Sequence, residues 1–417
     1  MTTSLLSQET PVNARAHGEA ARPVAVKVAL LTGGFDKPYA LGLVLALASK
    51  GVALDVIGSD QVDSPELHTT PGVRFLNLHG SREEAGLGAK MLRVLVYYAR
   101  LLGYAASSEA KIFHILWNGK FQYFDRTALM LYYKLLGKKI VLTAHNVNAG
   151  VRDSNDSWIN QATLKIQYRL ADHTFVHTEK MKQELLRDFG VQERAATVIP
   201  FGINNTVPNT DLTGAEARRR LDIAENEKTI LFFGAIRPYK GLEYLVEAFL
   251  RIAASQPHYR LIIAGAPRKD TEQYLADIER TIDDHPQGKQ ILRRIQYVPD
   301  EETELYFKAA DVLALPYTHV FQSGVLFLAF NFGLPVIATD VGSIGEEIIE
   351  GRTGLVCKPR DAQGLASALE KYFASDLFKH LDIQRKEIKD YANARHSWDL
   401  VGEITRDVYL ESLEVDG

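Results

Sequence analysis

Two cations stand together just past an apolar run in FFGAIRPYKG, Phe232 to Gly241. Arg237 and Lys240 are held between Gly234, Pro238 and Gly241. A guanidinium clasps two oxygens in a fork and an ammonium adds a compact charge, so the pair suits a phosphate chain. Pro238 stiffens the loop and limits the entropy lost when a ligand is gripped. Two solvated loop cations are the bland alternative. A second anion-binding element lies in PYTHVFQSGVLFLAFNFG, Pro316 to Gly333. Ser323 takes the N-cap position of an apolar helix running from about Gly324 to Asn331, flanked by Gln322 and Val325. The unpaired amides and dipole of its first turn favour an anion, and Gly324 keeps the approach open.

Other candidates are weaker alone. Gly33 and Gly34 in TGGFDKPYALG let a backbone approach a ligand and offer amides to an anion, though a tight structural turn reads as well. In TAHNVNAG, His145 and Asn146 stand at a strand end, where a histidine can donate to a sugar hydroxyl or a developing charge. Taken alone, a structural histidine explains His145 better. Asn118, beyond the strand Ile112 to Leu116, joins Asn146 as a candidate on the acceptor side. No carboxylate pair stands out as acid and base, and no nucleophile has an obvious activating base. Asp60 with Asp63 and Asp283 with Asp284 lack the spacing of a metal-binding pair, so no metal is implied.

These residues need strand ends to hold them. From Val26 onward, short apolar runs alternate with helical patterns, which predicts α/β architecture with parallel sheets covered on both faces. The first series of strands is Val26–Leu31, Ala53–Ile57, Val73–Leu76, Ile112–Leu116, Ile140–Ala144, Thr174–His177 and Thr197–Pro200. A polar stretch, Phe201 to Gly214, reads as a linker. The second series is Thr229–Phe233, Arg260–Ala264, Ile291–Tyr297, Val312–Pro316, Pro335–Thr339 and Gly354–Cys357. The expected organisation is a disordered leader over 1–23, one Rossmann-like doubly wound domain over 24–205 and another over 206–395. A final helix within 396–417, about Ser397 to Leu413, is expected to pack back on the first domain. Ligands of such sheets bind beyond the carboxyl ends of the strands, here in a central cleft between the domains.

The 417 residues exceed one ordinary core, and 46% hydrophobic with 24% charged residues and a net charge of −4 describes a globular chain with no sign of nucleic-acid binding. Residues 1–205 hold 23 Lys and Arg against 18 Asp and Glu, whereas the remainder holds 25 against 34. The first half therefore better suits an anionic surface or partner. A single cysteine, Cys357, rules out an intrachain disulfide and fits a reducing, cytoplasmic setting. The leader lacks the apolar run of a signal peptide, and no stretch approaches the roughly 20 apolar residues of a membrane span.

In chain order, FFGAIRPYKGLEYLVEAF, LIIAG, YVPDEETELYFKAADVLALPY and GLPVIATDVGSIGEEIIEGRTG resemble the nucleotide-sugar domain of glycosyltransferase family 4. The likeness is close over about Thr229 to Pro359. More loosely, TAHNV, ADHTFVHTEKMKQELLRDFGV and VIPFGIN resemble that family's acceptor domain. The resemblance implies the GT-B fold and a retaining transfer of sugar from a nucleotide diphosphate sugar, UDP- or GDP-linked, with neither bound metal nor other cofactor. Arg237 and Lys240 would stabilise the leaving diphosphate. Gly33 and Gly34 would border diphosphate and sugar, and His145 would contact the donor sugar. Tyr297, Val298 and Pro299 would hold the base, with Gly234, Gln322, Ser323, Gly324 and Val325 also on the donor side.

Two departures accompany this likeness. The family's paired glutamates fall on Val320 and Leu328, so the carboxylate that usually binds ribose is absent. The arginine that usually follows the first glycine is replaced by Ala235, and Arg237 comes two positions later. The expected acceptor is a glycan, a lipid-linked or a small molecule, in polysaccharide or glycolipid biosynthesis. Basic, aromatic helices over Lys90–Tyr104 and Arg126–Lys139 suit peripheral contact with an anionic membrane, at its inner face, though packing on the sheet explains them too. A nucleotide-sugar epimerase, a phosphorylase or a non-catalytic partner on this fold are the alternatives. The acid–base carboxylates of the first and the cofactor lysine motif of the second are not found.

Overall fold

The computed structural model describes residues 26–80, 86–148, 150, 156–202, 207–320 and 322–414. The leader expected over 1–23 lies outside them. Among the described residues thirteen strands form two all-parallel sheets. The first has the order β3-β2-β1-β4-β5-β6-β7, from β1 (Lys27–Leu31), β2 (Ala53–Gly58), β3 (Val73–Asn77), β4 (Ile112–Ile115), β5 (Lys139–Thr143), β6 (His173–Val176) and β7 (Ala196–Val198). The second has the order β10-β9-β8-β11-β12-β13, from β8 (Lys228–Phe233), β9 (Tyr259–Ala264), β10 (Ile291–Arg294), β11 (Val312–Leu315), β12 (Val336–Thr339) and β13 (Gly354–Cys357).

The central strands are largely apolar because helices cover both sheet faces, while the edge strands β3 and β10 carry arginines. Leu31, Phe113 and Leu142 bury on one face of the first sheet, and Leu30, Ile112 and Val141 on the other. The second sheet is likewise enclosed by two apolar clusters, in which the helix Leu242–Ala253 seats Leu245, Val246, Phe249 and Ile252 at helical spacing. Strand order reverses between β1 and β4 and again between β8 and β11. Those two switch points are where doubly wound sheets open a crevice, and the loops carrying the candidate residues leave from them.

Two expected elements are shorter than anticipated. The strand expected to reach Tyr297 ends at Arg294, because β10 is an edge strand and the Gln296 amide turns back onto the Arg294 carbonyl at 3.0 Å. The helix expected over Arg126–Lys139 is a π-type turn, Asp125–Leu129, followed by the helix Met130–Leu135, and Lys139 begins β5. Gly137, with φ of 71°, ends that helix and releases the chain into the strand.

The domains are joined by more than their linker. Phe201 stacks on Phe327 with ring centres 5.2 Å apart, and Ser343 donates from its hydroxyl to that of Thr178 at 2.8 Å. Lys180 pairs with Glu346 at 2.9 Å. The helix Leu381–His396 packs on the second domain, and Trp398–Glu414 crosses to the first. There Val401, Val408 and Tyr409 join its core, and Tyr409 meets His114 Nδ1 at 2.5 Å.

Candidate active site

The loop after β8 positions the two cations. Gly234 takes φ of 103°, which only glycine adopts readily, and a Cβ there would stand 2.9 Å from the Lys240 ammonium. A short turn, Pro238–Lys240, follows Arg237, and Gly241 in the left-handed region opens the helix Leu242–Ala253. Lys240 is 7% exposed, and among the described residues its ammonium makes neither a hydrogen bond nor an ion pair, while its amide donates to the Arg237 carbonyl at 2.9 Å. The Tyr317 ring centre lies 5.5 Å from its Nζ. Burial, then the charges of Arg237 and Arg268, lower its pKa to about 8, only partly offset by Tyr239. A buried ammonium flanked by two guanidinium groups and no carboxylate is a costly arrangement that an anion relieves.

Beside it lies a cavity of about 450 Å³ lined by Gly234, Gly265, Arg268, Tyr297, Val298 and Leu328, with Asp300 and Thr303 also at its wall. Tyr297 is 74% exposed and Val298 buried. Pro299 stands behind, as N-cap of the helix Asp300–Ala309. Leu328, the position at which the family resemblance expects the ribose carboxylate, is among the residues lining this cavity. Burial and the neighbouring Glu301 raise the pKa of Asp300, and Lys37 from the other domain pulls it back. Arg268 and Asp300 were not singled out from sequence. The signal was available for Arg268, which follows β9 as Arg237 follows β8, with Ile236 and Pro267 bridging the two loops.

Ser323 is the N-cap of the helix Gly324–Asn331, but its side chain does not cap. Instead Ser323 Oγ pairs with the Tyr317 hydroxyl at 3.2 Å, which leaves the first-turn amides without that partner. Gln322 donates through Nε2 to Glu347 at 3.2 Å while its Oε1 is buried and unpartnered. Val325 lies near Gly234, its Cγ2 falling 3.6 Å from a Cβ placed there, so the helix start and the cation loop meet. Among the described residues no three of His, Cys, Asp and Glu come together in a metal-binding group.

On the opposite wall His145 is fixed by its neighbours. Its ring lies flat on Trp117, 4.2 Å between centres and 6° between planes, with Tyr39 edge-on at 4.6 Å. His145 Nδ1 is 3.0 Å from His177 Nε2, and His177 Nδ1 is 3.3 Å from the Ile199 carbonyl. A carbonyl only accepts, so His177 donates from Nδ1, accepts at Nε2, and makes His145 donate from Nδ1. Burial pushes His177 down to about 4 and His145 well below its ordinary value, with His177 and His114 adding repulsion at His145. Both rings are therefore neutral at pH 7. His145 Nε2 is left as a lone-pair acceptor, buried and unpartnered. The expectation that this histidine donates is corrected: its neighbours set it to accept.

His145 lines a cavity of about 330 Å³ with Asn118, Asn146, Arg126, Trp117 and Phe35. Asn118 donates to Gln167 at 3.1 Å, while Asn118 Oδ1 and Asn146 Oδ1 are, like His145 Nε2, buried without partners. Three acceptors converging on one cavity suit a ligand bearing hydroxyl groups. The π-type turn, which the sequence did not reveal, buries Arg126 and Asp125, and Arg126 donates to Asn160 at 2.7 Å. Gly33 takes φ of 64° against Trp117, and the Gly34 amide is engaged by Thr32 Oγ1 at 3.2 Å, so it is not free for an anion. Gly33 and Phe35 also line a neighbouring cavity of about 520 Å³ with His79, Lys90, Arg93 and Lys120.

A model of the family described as Glycosyltransferase Family 4 matches residues 38–206, and one described as Glycosyl transferases group 1 matches residues 214–395. The D-inositol 3-phosphate glycosyltransferase of Geodermatophilus obscurus is 26% identical over 362 residues, 81% of this chain and 77% of that protein. An uncharacterized glycosyltransferase of Methanocaldococcus jannaschii is 26% identical over 243 residues, and the match spans about three-fifths of each, 58% and 60%. Among solved structures, sucrose-phosphate synthase from Thermosynechococcus elongatus superposes with a TM-score of 0.74 at 20% identity, covering 93% of this chain and 99% of the other. Anabaena HepE in complex with UDP-glucose does so with a TM-score of 0.69 at 16% identity, covering 93% and 99%.

Proposed function

This chain belongs to the glycosyltransferases of the family 4 type, with the GT-B fold, and on that premise we propose that it transfers a sugar from a nucleotide diphosphate sugar with retention, without a bound metal. The observation that carries the reading is Lys240, a buried ammonium with no carboxylate, set between Arg237 and Arg268 at the strand ends of the second domain. In the transition state the leaving diphosphate gains charge where these preorganised cations stand, the work a divalent ion otherwise does. The nearby helix start at Gly324 adds backbone amides. The base would rest on Val298 and Tyr297, and Asp300 would take hydroxyls that Leu328 cannot. The sugar would turn its hydroxyls toward His145 Nε2. HepE, a neighbour in fold, holds UDP-glucose, which supports a UDP-sugar as first candidate.

Incubation with a panel of UDP, GDP and ADP sugars tests this, reading thermal shift and slow hydrolysis to free nucleotide. Release from one donor, unchanged by EDTA and with the anomer preserved in the transferred product, is expected. Absence of any shift or release across the panel would leave a non-catalytic protein on this fold as the better account.

For the acceptor, we infer a lipid-linked molecule reached at the inner face of a membrane. Met91, Leu92 and Leu95 are 59–68% exposed on the helix Leu87–Ser107, and Leu135 and Trp158 are 78% and 79% exposed on helices covering the same sheet face. Exposed apolar side chains on neighbouring helices of one sheet face suit contact with an apolar surface. No described helix is long and apolar enough to cross a membrane. Flotation with liposomes containing anionic lipid is the check, and lack of binding at low salt would sink the membrane contact.

A further inference from the structure

We propose that a cavity at the far edge of the second sheet, bordered by Lys308, Arg385 and Lys389, is an effector site for a phosphate dianion, free or as the monoester of a small metabolite. It encloses about 800 Å³ beside Lys228 and Asp311, where β8 and β11 begin, whereas the donor loops leave the other ends of the strands. Four carboxylates also line it, and two of them are already engaged. Asp311 accepts from Arg218 and from the Thr229 amide, both at 2.7 Å, and Glu227 pairs with Arg260 at 2.6 Å. Glu225 and Asp382 are exposed. Among the cations, Lys228 lies over the rings of Tyr259, Phe373 and Phe378, and Lys308 pairs with Glu304 at 2.8 Å.

Arg385 and Lys389 remain, one turn apart on the helix Leu381–His396 and both half-buried. Among the described residues Lys389 makes neither a hydrogen bond nor an ion pair, and burial and then the charges of Arg385 and Lys308 lower its pKa. An anion set among the three relieves that repulsion. Arg385 donates from Nη1 to the Phe332 carbonyl at 3.2 Å and from Nη2 to the Ala310 carbonyl. These carbonyls fix the guanidinium without neutralising it, and further N–H groups of its fork are left for phosphate oxygens.

The position of the cavity makes its occupant an effector rather than a substrate. Phe332 and Ala310 close the helices Gly324–Asn331 and Asp300–Ala309, and the opposite ends of those helices stand at the donor cavity and the cation loop. The linker is tied to the same cluster. Thr210 donates to Glu304 from its amide at 2.8 Å and from its hydroxyl at 2.7 Å, and Lys308 donates to the Thr210 carbonyl. The helix bearing Arg385 and Lys389 runs on into Trp398–Glu414, which crosses to the first domain. Through Lys308 and Arg385 a bound phosphate therefore acts on both segments by which the chain passes between domains, and on two helices of the donor site. A ligand that favours one arrangement of these elements changes donor affinity by the same coupling energy that the donor returns to it.

The binding test uses the full chain with Arg237→Ala and Lys240→Ala, so that the donor cations cannot hold the probe. Inorganic phosphate, ribose 5-phosphate and ribose are titrated by calorimetry. Both phosphates should bind and ribose should not, and adding Lys389→Gln should weaken them at least about tenfold, as loss of a charge-assisted hydrogen bond requires. Lys389→Glu should abolish binding, with circular dichroism verifying the fold, and Arg385 is left in place because it holds two carbonyls. Tighter binding of ribose 5-phosphate supports the site with a metabolite as occupant, and tighter binding of inorganic phosphate supports it with the free anion. No binding, equal affinity with and without the Lys389 substitutions, or ribose binding as tightly as ribose 5-phosphate overturns the site. On the otherwise unsubstituted chain, the tighter phosphate should change the rate of donor hydrolysis at least about fivefold, and Lys389→Gln should remove that change while keeping the basal rate. A change of equal size in both chains, or none in either, overturns the effector role. The calorimetry needs no donor, so failure of this inference and failure of the glycosyltransferase reading are told apart.

Discussion

His177 Nε2 stands 3.0 Å from His145 Nδ1, and its other ring nitrogen is tied to the Ile199 carbonyl at 3.3 Å. One backbone carbonyl thereby sets the tautomer of a histidine two steps away, and the site receives an acceptor nitrogen rather than an N–H. Long-range ¹H–¹⁵N spectra of histidine-labelled protein should show His145 protonated on Nδ1 at pH 7. His177→Phe removes that restraint and should lower turnover about fivefold to tenfold, the worth of one net hydrogen bond. His177→Gln, which can still donate and accept, should restore part of the loss. Protonation of His145 on Nε2 in the unsubstituted chain would refute the relay.

The cation pair leads to a second expectation. Arg237→Ala or Lys240→Ala should each cost on the order of tenfold to more than a hundredfold in turnover, at roughly 1.5 to 3 kcal/mol per charged hydrogen bond. Lys240 is buried without a partner, so replacing it by an apolar side chain should also leave the fold as stable or more so. Turnover and urea denaturation of Lys240→Met read both halves. Near-normal turnover in the variants of both cations would end the assignment.

Acid should destabilise the fold through its buried histidines. Burial lowers His177 and His173 to about 4 and His114 to about 3, from an ordinary 6.5. Each takes up a proton on unfolding, so this stability is complete above pH 6.5 and is lost as pH falls toward 4. The slope approaches about 1.4 kcal/mol per pH unit for each such histidine. Asp125, raised to about 6, acts in the opposite sense and gains as pH falls below that value. Melting temperatures between pH 7.5 and 4.5 should fall on balance, and His177→Gln should reduce the slope by about one proton. A flat profile over that range would contradict the burial of these rings.

The C-terminal helix should be a working part of the first domain. A Cβ added at Gly42 or Gly202 would fall 2.1 Å or 2.5 Å from the indole of Trp398, so both glycines make room for that ring. Trp398→Ala should therefore cost about 3 kcal/mol, near the lower end for loss of a packed tryptophan. Gly42→Ala should destabilise through the clash itself. Denaturation of both variants is the measurement, and a loss below about 1 kcal/mol for Trp398→Ala would mean the ring merely rests on the surface.

Much of this was legible in the sequence because its signals are local. Most of the described strands announce themselves as apolar runs, since a parallel strand buried on both faces admits little else, whereas the edge strands β3 and β10 carry Arg74, Arg293 and Arg294. Glycines and cations just past strand ends, as in FFGAIRPYKG, mark ligand loops because only those positions open onto the crevice of a doubly wound sheet. What the sequence left undecided depends on distant partners. The acceptor state of His145 needs Ile199 beside His177. The burial of Lys240 among other cations needs Arg268 from another strand and the room left by Gly234. The π-type turn that buries Asp125 and Arg126 has no local pattern, and the cavity beside Phe35 joins Gly33, His79, Lys90 and Lys120 from four segments. Hydrogen-bond direction, desolvation and charge clustering are properties of contacts between segments, so the sequence named Arg237, Lys240 and His145 but not Arg268, Asp300 or Arg126, and the tertiary structure decided the chemistry of all of them.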